Sequence, residues 1–122
     1  MPTAAVNDVR IELPLAALRT HSGVQTISSV RKFVLPAPRE GTADLIIWQR
    51  PILEPKGDLA TYRRLVERRI PIVVEFDDDP DHWPRIVENE YLTFTAPHAV
   101  QTSNELLASR MRQWNSNVAM FP

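Results

Sequence analysis

Two short, mainly apolar runs constrain this chain more than any other feature: residues 43–48 (ADLIIW) and 70–76 (IPIVVEF). Both are rich in β-branched residues and bounded by turn formers, which marks them as strands. A strand that is apolar at nearly every position, instead of alternating, is one covered on both sides, and that is the habit of parallel sheets. Between the runs, residues 58–69 place Leu59, Tyr62, Leu65 and Val66 at helical spacing, with Gly57-Asp58 as a start signal and Pro71 forcing the exit. Strand, helix and strand make one βαβ unit.

The alternation continues toward the end of the chain. Trp83, Ile86, Val87, Tyr91 and Phe94 fall on one helical face, Pro84 suits a first helical turn, and Pro97 limits the length. Residues 98–101 read as a short strand. Thr102 and Glu105 have the spacing of a capping box, and Leu107, Met111 and Trp114 form the buried stripe of the helix that follows. Residues 117–121 (NVAMF) close the pattern as a last strand. An order of β-α-β-α-β-α-β predicts right-handed crossovers, so the expected fold is α/β and Rossmann-like, a mostly parallel sheet with helices on both faces. The first 40 residues carry weaker signals: strands over 9–13 and 24–27, a short helix over 16–20, and a surface loop over 36–41 (PAPREG). At 122 residues one domain spanning 1–122 is the default.

Composition narrows the function classes. Lys plus Arg number 14 against 15 Asp plus Glu, so no basic excess points to nucleic acid. The absence of cysteine removes disulfides, thiolate metal sites and a cysteine nucleophile. Eleven prolines against 3 glycines leave little material for a glycine-rich phosphate loop. No apolar run reaches the roughly 18 residues of a membrane span, and residues 1–10 lack the basic start and apolar centre of a secretory signal, so a cytoplasmic domain is expected.

The chemistry concentrates after the second strand, in Asp77-Asp78-Asp79. Ligands of open parallel sheets gather outside the carboxyl ends of the strands. Adjacent carboxylates repel unless a cation, an arginine or the hydroxyls of a ligand offset their charge. The plainer reading is that Asp79 and Asp81 flank the next helix start, favoured by its dipole, while the rest are solvated. Asp77-x-Asp79 also has the short form by which some sugar-nucleotide enzymes hold Mg²⁺ or Mn²⁺, but a metal needs further ligands, and His82, the only nearby nitrogen candidate, is more simply a surface histidine, so no metal site is assigned. Arg50 follows the first confident strand on the same rim, to bind an anion or to neutralise the acidic run. His98, Thr102 and Ser103 flank the third strand and offer a ring nitrogen, hydroxyls and helix amides to an anion or a sugar, although capping alone explains the hydroxyls. Glu75, inside an apolar strand, needs a partner. The stretch Arg63-Arg64-x-x-Glu67-Arg68-Arg69 is most simply a solvated helix face, with membrane-surface binding as the second reading. There is no Ser-His-Asp spacing and no glycine-x-serine elbow. A third class, a non-enzymatic receiver-like module, would want a lysine opposite the acids, and Lys32 and Lys56 are poorly placed for it.

From residue 43 to 122, the segments ADLIIWQRP, IPIVVEFDDDPDHWP, APHAVQTSNELLASRM and NVAMFP, in that order, resemble the amino-terminal half of bacterial glycosyltransferases of the GT-B type, the "group 1" family. The resemblance implies an acceptor-side domain, with the nucleotide-sugar donor held by a second Rossmann-like domain across a cleft. It implies no cofactor on this half, and no turnover by this half alone. Substrate contacts would come from Asp77, Asp78, Asp79, Arg50, His82, His98 and Ser103. The implied partners are a sugar or glycan acceptor and that second domain; a homodimer and a membrane contact stay open, and no catalytic residue is assigned. Where many members carry a histidine-containing pair, this chain has Asp77-Asp78, and the usual amino-terminal glycine-rich loop is not evident in residues 9–23.

Overall fold

The structure is a computed structural model, and it describes residues 8–29, 37 and 40–121. The chain divides into two compact units, Met1–Arg39 and Glu40–Pro122.

In the first unit a five-residue π-helical turn, Asp8–Glu12, runs directly into α1, Leu13–Leu18. Pro14 sits in the first turn of α1, where its missing N–H costs nothing. Residues 9–13, expected as a strand, are therefore helical. The expected helix over 16–20 is present but begins at Leu13 and ends two residues sooner. Residues 24–27 are irregular, not a strand. Ser28 Oγ donates to Glu12 Oε1 at 3.0 Å and ties the irregular stretch back to the helical one. Half of the expected loop over 36–41, positions 36, 38 and 39, lies outside the described residues, and residues 40 and 41 form a turn.

The second unit is the parallel α/β sheet that was expected: β1 (Ile46–Gln49), β2 (Ile72–Glu75), β3 (Ala99–Thr102) and β4 (Val118–Met120), all parallel and in consecutive order. Register partners such as Trp48, Val74, Val100 and Val118 share one face. Val74, Phe76 and Val100 pack there against Ile86, Phe94 and Met111. Those last three come from α3 (Pro84–Glu88), α4 (Leu92–Thr95) and α5 (Glu105–Met111), so these helices cover the same face. Cover on both faces is thus narrower in this unit than expected, since a consecutive strand order with crossovers of one hand brings successive helices down on one side. On the other side of β1, Ile47 stays 54% exposed.

Helix boundaries follow local chemistry. The helix between β1 and β2, α2, is Pro55–Glu67, three residues earlier at its start than the sequence suggested. Pro55 occupies the first helical position, and Asp58 Oδ2 reaches back to accept from Glu54 N at 2.8 Å. Its exit is a Schellman turn. Ile70 N donates to Leu65 O and Arg69 N to Val66 O, with Arg69 left-handed at φ 55. The helix expected after the acidic run is split by the same device, with Tyr91 N on Ile86 O, Glu90 N on Val87 O, and Glu90 at φ 53. At α5 the cap is Asn104, whose side chain accepts from Leu107 N, while Thr102 belongs to β3. The expected capping box at Thr102 and Glu105 is therefore displaced by two residues. Among the described residues no helix is long and apolar enough to cross a membrane.

Candidate functional site

Parallel strands bring their carboxyl ends to one rim, so the residues that follow β1, β2 and β3 become neighbours. Arg50 N donates to Glu75 O at 2.7 Å, carrying the β1–β2 ladder one residue past β1. Arg50 is itself left-handed, φ 47, a conformation unusual for a residue with a Cβ. The turn sends its side chain across the end of β2. There Nε lies 2.9 Å from Asp77 Oδ1 and Nη2 3.6 Å from Asp78 Oδ2. The Nε–H is not aimed at the Asp77 oxygen, so that contact is an ion pair without a directed hydrogen bond. The guanidinium also sits 5.6 Å from the centre of the Trp83 ring, a cation–π distance.

Asp78 is the hub of the cluster. Its Oδ1 accepts from Asp79 N at 2.8 Å and its Oδ2 from Trp83 Nε1 at 3.1 Å. His82 Nδ1 stands 3.9 Å from Asp78 Oδ1, on a side chain 73% exposed. Asp79 caps the 3-10 turn Pro80–His82, its side chain accepting from Asp81 N. A second arginine, Arg110 on α5, takes the outer half of the run: Nη1 is 3.3 Å from Asp79 Oδ1, and Nη2 pairs with Asp81. Tyr91 donates its hydroxyl to Asp81 at 2.9 Å. That hydrogen bond, and after it Arg110, holds the Asp81 carboxyl below its ordinary range, while the same bond pushes the Tyr91 phenol up.

Four carboxylates, Asp77, Asp78, Asp79 and Asp81, thus share two guanidinium groups. The expected neutralising role of Arg50 is present, and so is the helix-start role of Asp79. Asp77 and Asp79 answer to different arginines, and among the described residues no group of three His, Asp or Glu is arranged to hold a metal ion. Asp78, at 39% side-chain exposure, keeps access to solvent while its geometry is fixed from three sides. Such a carboxylate can accept from ligand hydroxyls with little ordering cost.

The other expected contacts divide. Ser103 follows β3 at the same end of the sheet, half-buried. His98 does not reach the rim. It precedes β3, at the opposite end, where Nδ1 accepts from Ile72 N at 3.1 Å and the ring stacks on Tyr62. Glu75 is 5% exposed and is not without a partner. Sequence reasoning missed Arg110, Trp83 and Tyr91 as members of the cluster. Arg110 lies 31 residues from Asp79, and nothing local to it announces the contact.

Compared with protein-family models, with curated proteins and with solved structures, the chain matches none.

Proposed function

We propose that the Glu40–Pro122 unit is the acceptor-side Rossmann-like half of a glycosyltransferase, and that its acidic rim binds hydroxyls of a sugar or glycan acceptor. The observation that carries the reading is Asp78, a half-exposed carboxylate fixed by Trp83 Nε1, Asp79 N and Arg50 at the carboxyl end of a parallel sheet. Carboxylates orient sugars by accepting from paired hydroxyls, and a preset carboxylate does so without first being ordered. Arg50 and His82 border the same spot and would add donors; Asp77 and Asp79, tied to Arg50 and Arg110, would hold the frame. The donor nucleotide sugar belongs, on this reading, to a second domain. A divalent ion on Asp77-x-Asp79 is the weaker reading, because it must displace two separate guanidinium groups first.

Titration of the protein with a panel of oligosaccharides, followed by amide chemical shifts, tests this. Shifts are expected at residues 50, 77–79 and 82. Asp78→Asn should weaken binding by roughly tenfold or more, the scale of a lost charged hydrogen bond. Tight binding of a nucleotide sugar at this rim, or glycan binding indifferent to Asp78→Asn, would overturn it.

A further inference from the structure

β4 ends the sheet of the second unit, with no strand beyond it among the described residues. Its inner side is engaged: Asn117 O accepts from Val100 N at 2.9 Å, and Phe121 N donates to Thr102 O at 2.8 Å. Successive residues of a strand turn their backbone groups to alternate sides, so those of Val118 and Met120 point away from β3. They meet no partner among the described residues. Proteins guard such an edge with lysine, proline or a bulge. Residues 117–121 (NVAMF) contain no charge and no proline, and Met120 and Phe121 are 42% and 59% exposed.

The edge is self-complementary. About a two-fold axis at Ala119, Val118 of one copy falls opposite Met120 of the other, and both present outward groups, so each such pair can exchange both backbone hydrogen bonds. The helix above the seam fits the same axis. α5 packs over β3 and β4, with Arg110 and Trp114 turned toward the middle of the sheet, on Asp79 and on Tyr91 and Phe94. At 100° per residue, Glu105 and Arg112 lie about 140–160° around the helix from Arg110, and so face the open edge. With strands about 4.8 Å apart and α5 over the β3–β4 groove, α5 and its copy come to about 10 Å, a helix-packing distance. α5 starts just past Thr102, the register partner of Met120, so Glu105 and Arg112 straddle the level of Ala119. The two helices run antiparallel, which brings Glu105 of each copy beside Arg112 of the other. Within one copy Arg112 Nη1 lies 2.6 Å from Glu105 Oε1, with the side chains 44% and 64% exposed, so the second copy extends this pair into a network of alternating sign.

We infer that the outer edge of β4 pairs with β4 of a second copy of this chain, antiparallel about Ala119, so that one sheet runs through a two-fold dimer and the Glu105–Arg112 pairs are shared between the two α5 helices. One short strand and one helix per copy make a small interface, so association is reversible. Antiparallel pairing sends the carboxyl ends of the two sheets in opposite directions. Both acidic rims stay open, and the dimer is independent of the function proposed for them.

Sedimentation velocity of the full chain over a dilution series tests the inference. The mass is expected to rise with concentration from one chain to two and to stop there, because a two-fold pairing closes on itself. Ala119→Lys sets like charges directly opposite each other on the axis and should weaken the dimer by about tenfold or more. Glu105→Arg alone and Arg112→Glu alone should each stay single at concentrations where the unaltered chain pairs, and mixing the two variants should restore a dimer with one chain of each. All three positions are exposed, and circular dichroism checks that each variant stays folded. A one-chain mass at every concentration, or growth beyond two chains, overturns the inference. So does a dimer indifferent to Ala119→Lys, or charge variants that pair alone or fail to pair when mixed.

Discussion

Arg110 reaches from α5 to within 3.3 Å of Asp79, and so clamps the loop after β2 to the helix after β3. The side chains on both sides are about one-third exposed, at 35% each, so solvent screens the pair. Arg110→Ala should therefore lower unfolding free energy modestly, by roughly 0.5–1 kcal/mol in urea titration. The larger effect should be local: faster amide exchange at residues 79–82, where the clamp and the Asp79 cap hold one short turn.

The Asp81 carboxyl should titrate below the ordinary aspartate range, chiefly because Tyr91 donates to it. A depressed carboxyl contributes stability that is in place above the unfolded pKa and is lost as pH falls through the folded one. The contribution of Asp81 is thus constant near neutrality and disappears only in acid, below about pH 4. Carbon-detected titration of Asp81 in the Tyr91→Phe variant should show its midpoint moving up toward the ordinary aspartate value. An unmoved midpoint would assign the depression to Arg110 instead.

How far the sequence reveals this molecule depends on how local each signal is. β1 and β2 were legible because apolar runs such as IPIVVEF have few other folded uses, and β3 and β4 because they continue the alternation of strand and helix. Arg50 and Asp77 to Asp79 were legible as rim residues because each directly follows a strand. His98 was misplaced for the complementary reason: it stands at the start of β3, and the two ends of a parallel strand lie on opposite edges of the sheet. Arg110 was not legible, because only the crossover between β3 and β4 brings α5 over the end of β2. In the first unit, Val9 and Ile11 alternate with polar residues as in a strand, but the chain there is helical. The break after α3 left no glycine to mark it, since Glu90 takes the left-handed place itself.

Phe94 is fully buried between two aromatic neighbours, with its ring centre 5.2 Å from Phe76 and 5.6 Å from Trp114. Phe94→Ala removes both contacts and leaves a cavity under the sheet, at an expected cost of about 3–5 kcal/mol. For a domain of this size that is a large share of total stability. Urea denaturation should find the variant largely unfolded or with a midpoint far below wild type. A change under about 1 kcal/mol would mean that this core is not packed around Phe94.

Glu90 offers the opposite change. It closes the Schellman turn after α3 with φ 53, a backbone region that costs an L-residue with a Cβ about 1–2 kcal/mol. Its side chain is exposed and makes no hydrogen bond or ion pair among the described residues, so removing it loses no contact. Glycine relieves the strain but gives the unfolded chain more freedom, which returns part of the gain. The balance for Glu90→Gly should be a stabilisation of about 0.5–1 kcal/mol, measured by thermal or urea unfolding. Glu90→Ala keeps the Cβ and should gain nothing. If alanine stabilised as much as glycine, the gain would come from removing a negative charge at the helix C-terminus. The contrast between the two variants therefore isolates the backbone strain.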